Sequence, residues 1–284
     1  MPVSRRGRGP APAAWALASQ VHPVFMLPPI AASWFGSVLA GHFSIPMAAL
    51  HMTAIFAAVY TAHVKDGYVD FHVRGEDDDH PLTVRGCRLG LAGSTLLFVV
   101  AVVALWVVAS PGAAALTAPT WFIGYFHAPQ LDVNPIGATT GYPLGIALAI
   151  LGGYYTQVGT LTPVAVAFAA VFLTLLSGVK VIDDAQDFAY DRSVDKRTVA
   201  VVLGRHRARE TAYGLMVAAT LGVVGLAVVA VFPPSTTLAA LAFASVALFA
   251  RRTADPELAT MLLIRGSYVF LALLFVAIWF RPLS

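Results

Sequence analysis

The sequence predicts an all-α integral membrane protein: a bundle of nine transmembrane helices with a cytoplasmic N-terminus. Three observations predict it. Of 284 residues, 58% are hydrophobic and 12% charged, with mean hydropathy +0.75, whereas a soluble domain carries about 25% charged residues. Apolar runs of about 20 residues, the length that crosses a bilayer, recur between brief uncharged joins of turn formers such as "GHFSIP", "SPG", "GTLTP" and "FPPST". With nine spans and the N-terminus inside, all of the 18 Lys and Arg residues except Arg281 fall on the inner side, which is the positive-inside pattern.

Residues 1–20 are expected to form a cytosolic tail. Arg5, Arg6 and Arg8 before a short apolar patch mimic a signal peptide, but Pro10 and Pro12 interrupt the patch and a full span follows at once. Residues 21–284 then form one transmembrane domain, with spans at about 24–43, 45–63, 90–109, 112–127, 142–158, 161–182, 210–232, 235–250 and 260–280. The eighth is short, and rests on Pro233-Pro234 ending one helix and Arg251-Arg252 ending the next. The single cysteine, Cys87, excludes an internal disulfide. A net charge of +3 and pI near 9.1 do not imply a nucleic-acid partner, because the bases flank apolar spans.

All the acidic residues fall on the same inner side, which orientation alone does not require. They gather in "HVKDGYVDFHVRGEDDDH" after the second span and in "VIDDAQDFAYDRSVDKRTVAVVLG" after the sixth. Each stretch holds an Asp-x-x-x-Asp pair, Asp66/Asp70 and Asp187/Asp191, and residues four apart share a helix face. Paired carboxylates repel unless a cation lies between them, and Mg²⁺ is commonly held by one or two carboxylates plus substrate phosphates. Lys65 and Arg74 bracket the first pair; Lys180, Arg192, Lys196 and Arg197 surround the second. Carboxylates beside such bases suit a diphosphate. The run Glu76-Asp77-Asp78-Asp79 reads as solvated, because four consecutive residues cannot all face one ion. A transporter would place its ionisable groups near the midplane. Here every acid lies at a helix end, and Lys180 is the deepest charge.

These residues resemble the UbiA-type superfamily of intramembrane prenyltransferases, whose members have nine helices and two cytosolic Asp-rich motifs. "DDAQDFAYDRSVDKRTVAVVLGR" matches the second motif without gaps, so the resemblance assigns Mg²⁺-diphosphate binding to Asp187 and Asp191, with Asp184 as a third ligand. In the first motif, Asn-x-x-x-Asp-x-x-x-Asp followed by an Arg-Pro-Leu-like element, Asp66 and Asp70 match the aspartates and "HPLT" the trailing element. Ala62 then stands at the Asn position; in a second register Asp66 replaces the Asn and Arg74 the last Asp. "HPVFMLPPIAASWFG" and "GGYYTQVGTLT" resemble menaquinone-pathway members. The resemblance spans the chain in architecture and is specific over about 25 residues.

It implies Mg²⁺-dependent (or Mn²⁺-dependent) transfer of a polyprenyl group from its diphosphate to a small acceptor, at the cytoplasmic face of the cell membrane. Closest is the 1,4-dihydroxy-2-naphthoate branch, so an aromatic quinone precursor is the first expectation. Carotenoid or glycerol-phosphate lipid acceptors, and a non-catalytic family member, remain alternatives. The inner loop expected at 125–142 offers Tyr125, His127 and Asn134, with Gln130 and Asp132, to orient the acceptor.

Overall fold

The computed structural model describes residues 2–282, so the first residue of the expected tail and the last two of the expected domain lie outside it. The described residues are helical throughout, apart from turns and one isolated antiparallel bridge between Ser4 and Leu82. Among the described residues, nine longer helices overlap the apolar runs: α2 (Pro23–Leu39), α3 (Ile45–Gly67), α4 (Val84–Val108), α5 (Pro111–Phe126), α6 (Pro135–Val158), α7 (Pro163–Gln186), α10 (Arg205–Val228), α11 (Thr236–Arg252) and α12 (Pro256–Phe280). Three short helices are added: α1 (Pro10–Ala18), α8 (Phe188–Ser193) and α9 (Val199–Leu203). Among the described residues, six helices are long and apolar enough to cross a membrane; α2, α5 and α11 are shorter, at 17, 16 and 17 residues.

Several helices begin earlier than hydropathy alone places them. Polar residues start α4 at 84 rather than 90, and α6 at 135 rather than 142. The cause is capping. The side chains of Thr83, Ser110, Asn134, Thr162 and Asp255 each accept a hydrogen bond from a first-turn N–H, and after all but Thr83 a proline follows at the first helical position. The expected loop at 125–142 therefore shrinks to residues 127–134, most of it the wide turn His127–Leu131.

Helix α2 packs on α6, α7 on α10, α11 on α12 and α3 on α4. The main core joins α2, α6, α7 and α10 to α12 around Phe35, Phe168, Phe172, Phe232 and Phe270. The α2–α6 contact is backbone on backbone: a Cβ on Gly36 would lie 2.0 Å from the Ile150 carbonyl oxygen. Small residues permit such approaches between apolar helices. The N-terminal segment is tied down instead of trailing. Arg5 N–H donates to Pro81 O at 2.9 Å, Thr83 N–H donates to Val3 O at 3.0 Å, and the Arg5 guanidinium sits 4.2 Å over the Phe71 ring.

Candidate active site

Helix α3 carries Asp66 in its last turn and passes without a break into the wide, π-helical turn Tyr68–Arg74, which carries Asp70. Gly75 then adopts the left-handed conformation (φ 67°), and Glu76 N–H donates to Asp70 O at 2.7 Å. This reversal folds Glu76 back under the helix end. Arg74 Nη1 lies 3.1 Å from Asp132, 3.6 Å from Asp70 and 3.6 Å from Glu76; Lys196 Nζ lies 3.6 Å from the other Glu76 oxygen. The solvated reading of the 76–79 run is thus wrong for Glu76, whose side chain is 12% exposed, because the turn after Arg74 points it inward. Asp77, Asp78 and Asp79 are exposed as expected, Asp79 pairing with Arg6.

The second cluster forms where α7 ends. Lys180 Nζ lies 2.5 Å from Asp184 and 3.1 Å from Asp183, and Asp184 is buried. The backbone breaks at Asp187 (φ −86°, ψ 12°), and α8 restarts with Asp191 N–H donating to Asp187 O at 2.7 Å. This break separates the pair that spacing placed on one face: Asp191 is buried, whereas Asp187 is exposed at the junction. Lys196 N–H donates to Asp191 O at 2.9 Å, and Thr198 Oγ1 donates to the Asp191 carboxylate at 3.4 Å. Burial pushes the Asp191 carboxyl up to about 6, with Lys196 opposing and Asp184 and Asp187 reinforcing.

The two clusters meet. Lys196 pairs with Glu76, and Asp132 fastens the segments by pairing with Arg74 through its carboxylate and accepting Arg197 N–H on its carbonyl at 2.9 Å. Beside them opens a cavity of about 640 Å³. Asp66, Asp70, Lys180 and Asp183 line it together with His22, His63 and His127 and with the apolar side chains of Phe25, Ile55, Ile146, Phe172 and Leu176. The His22 and His63 rings stack at 5.0 Å.

Other expected site residues lie elsewhere. Lys65 Nζ rests over the Tyr125 and Tyr68 rings, at 5.3 and 5.9 Å, and Tyr125 stacks on Trp121 at 4.9 Å. Asn134, expected at the acceptor, has an exposed side chain that accepts the Ile136 and Gly137 N–H groups as the cap of α6. Arg192 and Arg197 are exposed, and Arg197 enters the site through its backbone alone. His127 does line the cavity. Glu76 and Asp132 complete the charged set; for Glu76 the available sequence signal was Gly75, a chain reversal directly after Arg74.

The residues present fit a divalent cation. Asp70 Oδ1, Glu76 Oε1 and Asp184 Oδ2 are buried carboxylate oxygens with no hydrogen-bond partner. Asp70 Oδ1 and Glu76 Oε1 each have the Arg74 guanidinium at 3.6 Å, beyond hydrogen-bond reach; buried anionic oxygens so incompletely satisfied are costly, and hard oxygen donors of this kind suit Mg²⁺.

No family profile and no curated protein matches this chain. Solved structures do. A digeranylgeranylglyceryl phosphate synthase of membranes superimposes with a TM-score of 0.72 at 14% identity, covering 94% of this chain and 99% of that one. A UbiA homologue from Aeropyrum pernix K1 gives 0.66 at 14% identity, over 89% and 98%. A UbiA homologue from Archaeoglobus fulgidus bound to DMAPP and Mg²⁺ gives 0.63 at 18%, over 94% and 96%. At these identities the likeness establishes the fold: this chain folds as the UbiA homologues do.

Proposed function

We propose that the protein is a UbiA-type prenyltransferase of nine membrane spans, with the N-terminus and both acidic clusters on the cytoplasmic side. It moves a polyprenyl group from its diphosphate to a small aromatic acceptor of the quinone-precursor class. The observation that carries this reading is a cavity lined by both carboxylates and apolar side chains, beside buried carboxylate oxygens that lack a hydrogen-bond partner. The fold shared with a UbiA homologue bound to DMAPP and Mg²⁺ supports it.

Asp66, Asp70, Glu76, Asp184 and Asp191 would hold Mg²⁺ (or Mn²⁺), and Asp187 stands at the rim of this set. When bound, the cation neutralises charge growing on the leaving diphosphate. Lys180, Lys196 and Arg74 bind and orient the same diphosphate, as preorganised donors whose charge costs no reorganisation at the moment of bond cleavage. Phe25, Phe172 and Leu176 seat the isoprenoid and exclude water from the allylic carbon. The allylic C–O bond breaks, the diphosphate leaves, and a C–C bond forms to the acceptor ring. The ring proton then passes to an imidazole of His63 or His127. The aromatic class of acceptor rests on the resemblance of "HPVFMLPPIAASWFG" and "GGYYTQVGTLT" to menaquinone-pathway members.

The test supplies the purified protein with radiolabelled polyprenyl diphosphate and a panel of hydroxylated aromatic, glycerol-phosphate and carotenoid acceptors. The expected result is Mg²⁺-dependent prenylation of an aromatic acceptor. Preferred prenylation of the glycerol-phosphate or carotenoid acceptor overturns the acceptor assignment, and transfer unaffected by EDTA overturns the metal assignment.

A further inference from the structure

Three other side chains converge outside the acidic site. His72 in the wide turn, His80 in the following loop and Cys87 in the first turns of α4 each place a ligand atom within 4.8 Å of the others. His80 and Cys87 are buried, and Cys87 Sγ lies 3.6 Å from His80 Nε2. Zinc holds imidazole nitrogen at about 2.0–2.1 Å and thiolate sulfur at about 2.3 Å, so tetrahedral ligands stand about 3.3–3.7 Å apart. The Cys87–His80 separation already meets that figure, and His72 closes the set with about 1 Å of ring movement. We propose that His72, His80 and Cys87 form a binding site for a thiophilic divalent ion of the zinc class.

The surroundings hold the rings for this purpose. His80 packs against Gly67, where a Cβ would lie 2.5 Å from His80 Cε1, so the α3 end is bare where the imidazole must sit. The Leu82 carbonyl, 3.0 Å from His72 Nε2, fixes the other ring, as outer-shell carbonyls commonly do for ligating imidazoles. Two imidazoles and one thiol are a softer donor set than the oxygen-only acidic site, so the two sites select different ions. Binding releases the Cys87 thiol proton to solvent, leaving the thiolate as ligand and a fourth position for water. The ion would clip the turn carrying Asp70 and Arg74 to the start of α4, beneath the N-terminal segment bridged at Leu82.

The test uses the purified full chain in detergent, stripped with chelator and titrated with Co²⁺ as a spectroscopic substitute for Zn²⁺. One equivalent is expected to produce a thiolate-to-cobalt charge-transfer band, displaced by one equivalent of Zn²⁺. Cys87→Ser should abolish the band, and both Cys87→Ser and His72→Gln should weaken Zn²⁺ binding at least about tenfold. His72 is only half-buried, so His72→Gln provides a variant that folds if the serine variant does not. Asp70→Asn should keep the band, which separates this site from the Mg²⁺ site whatever becomes of the proposed transferase activity. Absence of the band in the unsubstituted protein, or equal Zn²⁺ affinity in the His72 variant, would show a thiol–imidazole hydrogen bond only and overturn the proposal.

Discussion

Glu76 shows how a single backbone reversal changes the chemistry of an acidic cluster. It receives Arg74 on one oxygen and Lys196 on the other, and so ties the helix carrying Asp70 to the segment that follows Asp191. Glu76→Gln keeps the shape and removes the charge, and should slow prenyl transfer by about 10- to 100-fold. The exposed Asp78→Asn should stay within a few-fold. Steady-state kinetics on the two variants checks this, and similar losses in both would restore the solvated reading of the whole run. The second cluster makes a comparable distinction. Asp191→Asn should cost about 100-fold or more, the scale of losing one preorganised electrostatic group. Asp187→Asn should cost less than about tenfold, since the helix break leaves that carboxylate outside. Asp191 also sets a pH dependence. Its carboxyl ionises near 6 in the cation-free protein, so below that pH a bound proton must leave before the cation binds. Mg²⁺ affinity should therefore fall by up to about tenfold per unit as pH drops below 6, and hold above it. Calorimetric titration at about pH 5 and about pH 7 reads the difference, and affinity that rises in acid would contradict the assignment. At this scale spacing picked out the pairs Asp66/Asp70 and Asp187/Asp191, Asp184 came only through the family resemblance, and Asp132 was named for a different role, beside the acceptor. The ion pairs that Glu76 and Asp132 make with Arg74 were not legible, because i,i+4 reasoning assumes an uninterrupted α-helix and both residues arrive through turns.

At the scale of the helices, the apolar runs were legible as helices because a bilayer-length run is a long-range signal that no single residue can hide. Their starts were not, because hydropathy ignores capping. Asn134-Pro135 and Asp255-Pro256 carry the same cap-then-proline signature as the joins at Ser110-Pro111 and Thr162-Pro163. Reading the first of these shortens the inner loop and assigns Asn134 the role of a cap. Asn134→Ala should then lower stability by about 1 kcal/mol and leave the KM for the acceptor unchanged. Thermal unfolding and acceptor titration separate these outcomes, and a raised KM at unchanged stability would return Asn134 to the acceptor site.

For the molecule as a whole, the arrangement requires that both acidic clusters share one side of the membrane. A reporter fused after residue 284 should be extracytoplasmic, and one inserted between residues 75 and 83 cytoplasmic. The charge asymmetry is what predicts that orientation. Sequence did not reveal the cavity, because its walls come from α2, α3, α5, α6, α7 and α12 together, and pairings between distant helices leave no local pattern. The central claim is that the two clusters act as a single cation-dependent diphosphate site. Equilibrium binding of a polyprenyl diphosphate to the purified protein, with Mg²⁺ and with EDTA, tests it most directly when repeated for Asp70→Asn and Asp191→Asn. The account predicts binding only with Mg²⁺, weakened at least about tenfold by either substitution. Equal binding in EDTA, or a loss confined to one cluster, would contradict it.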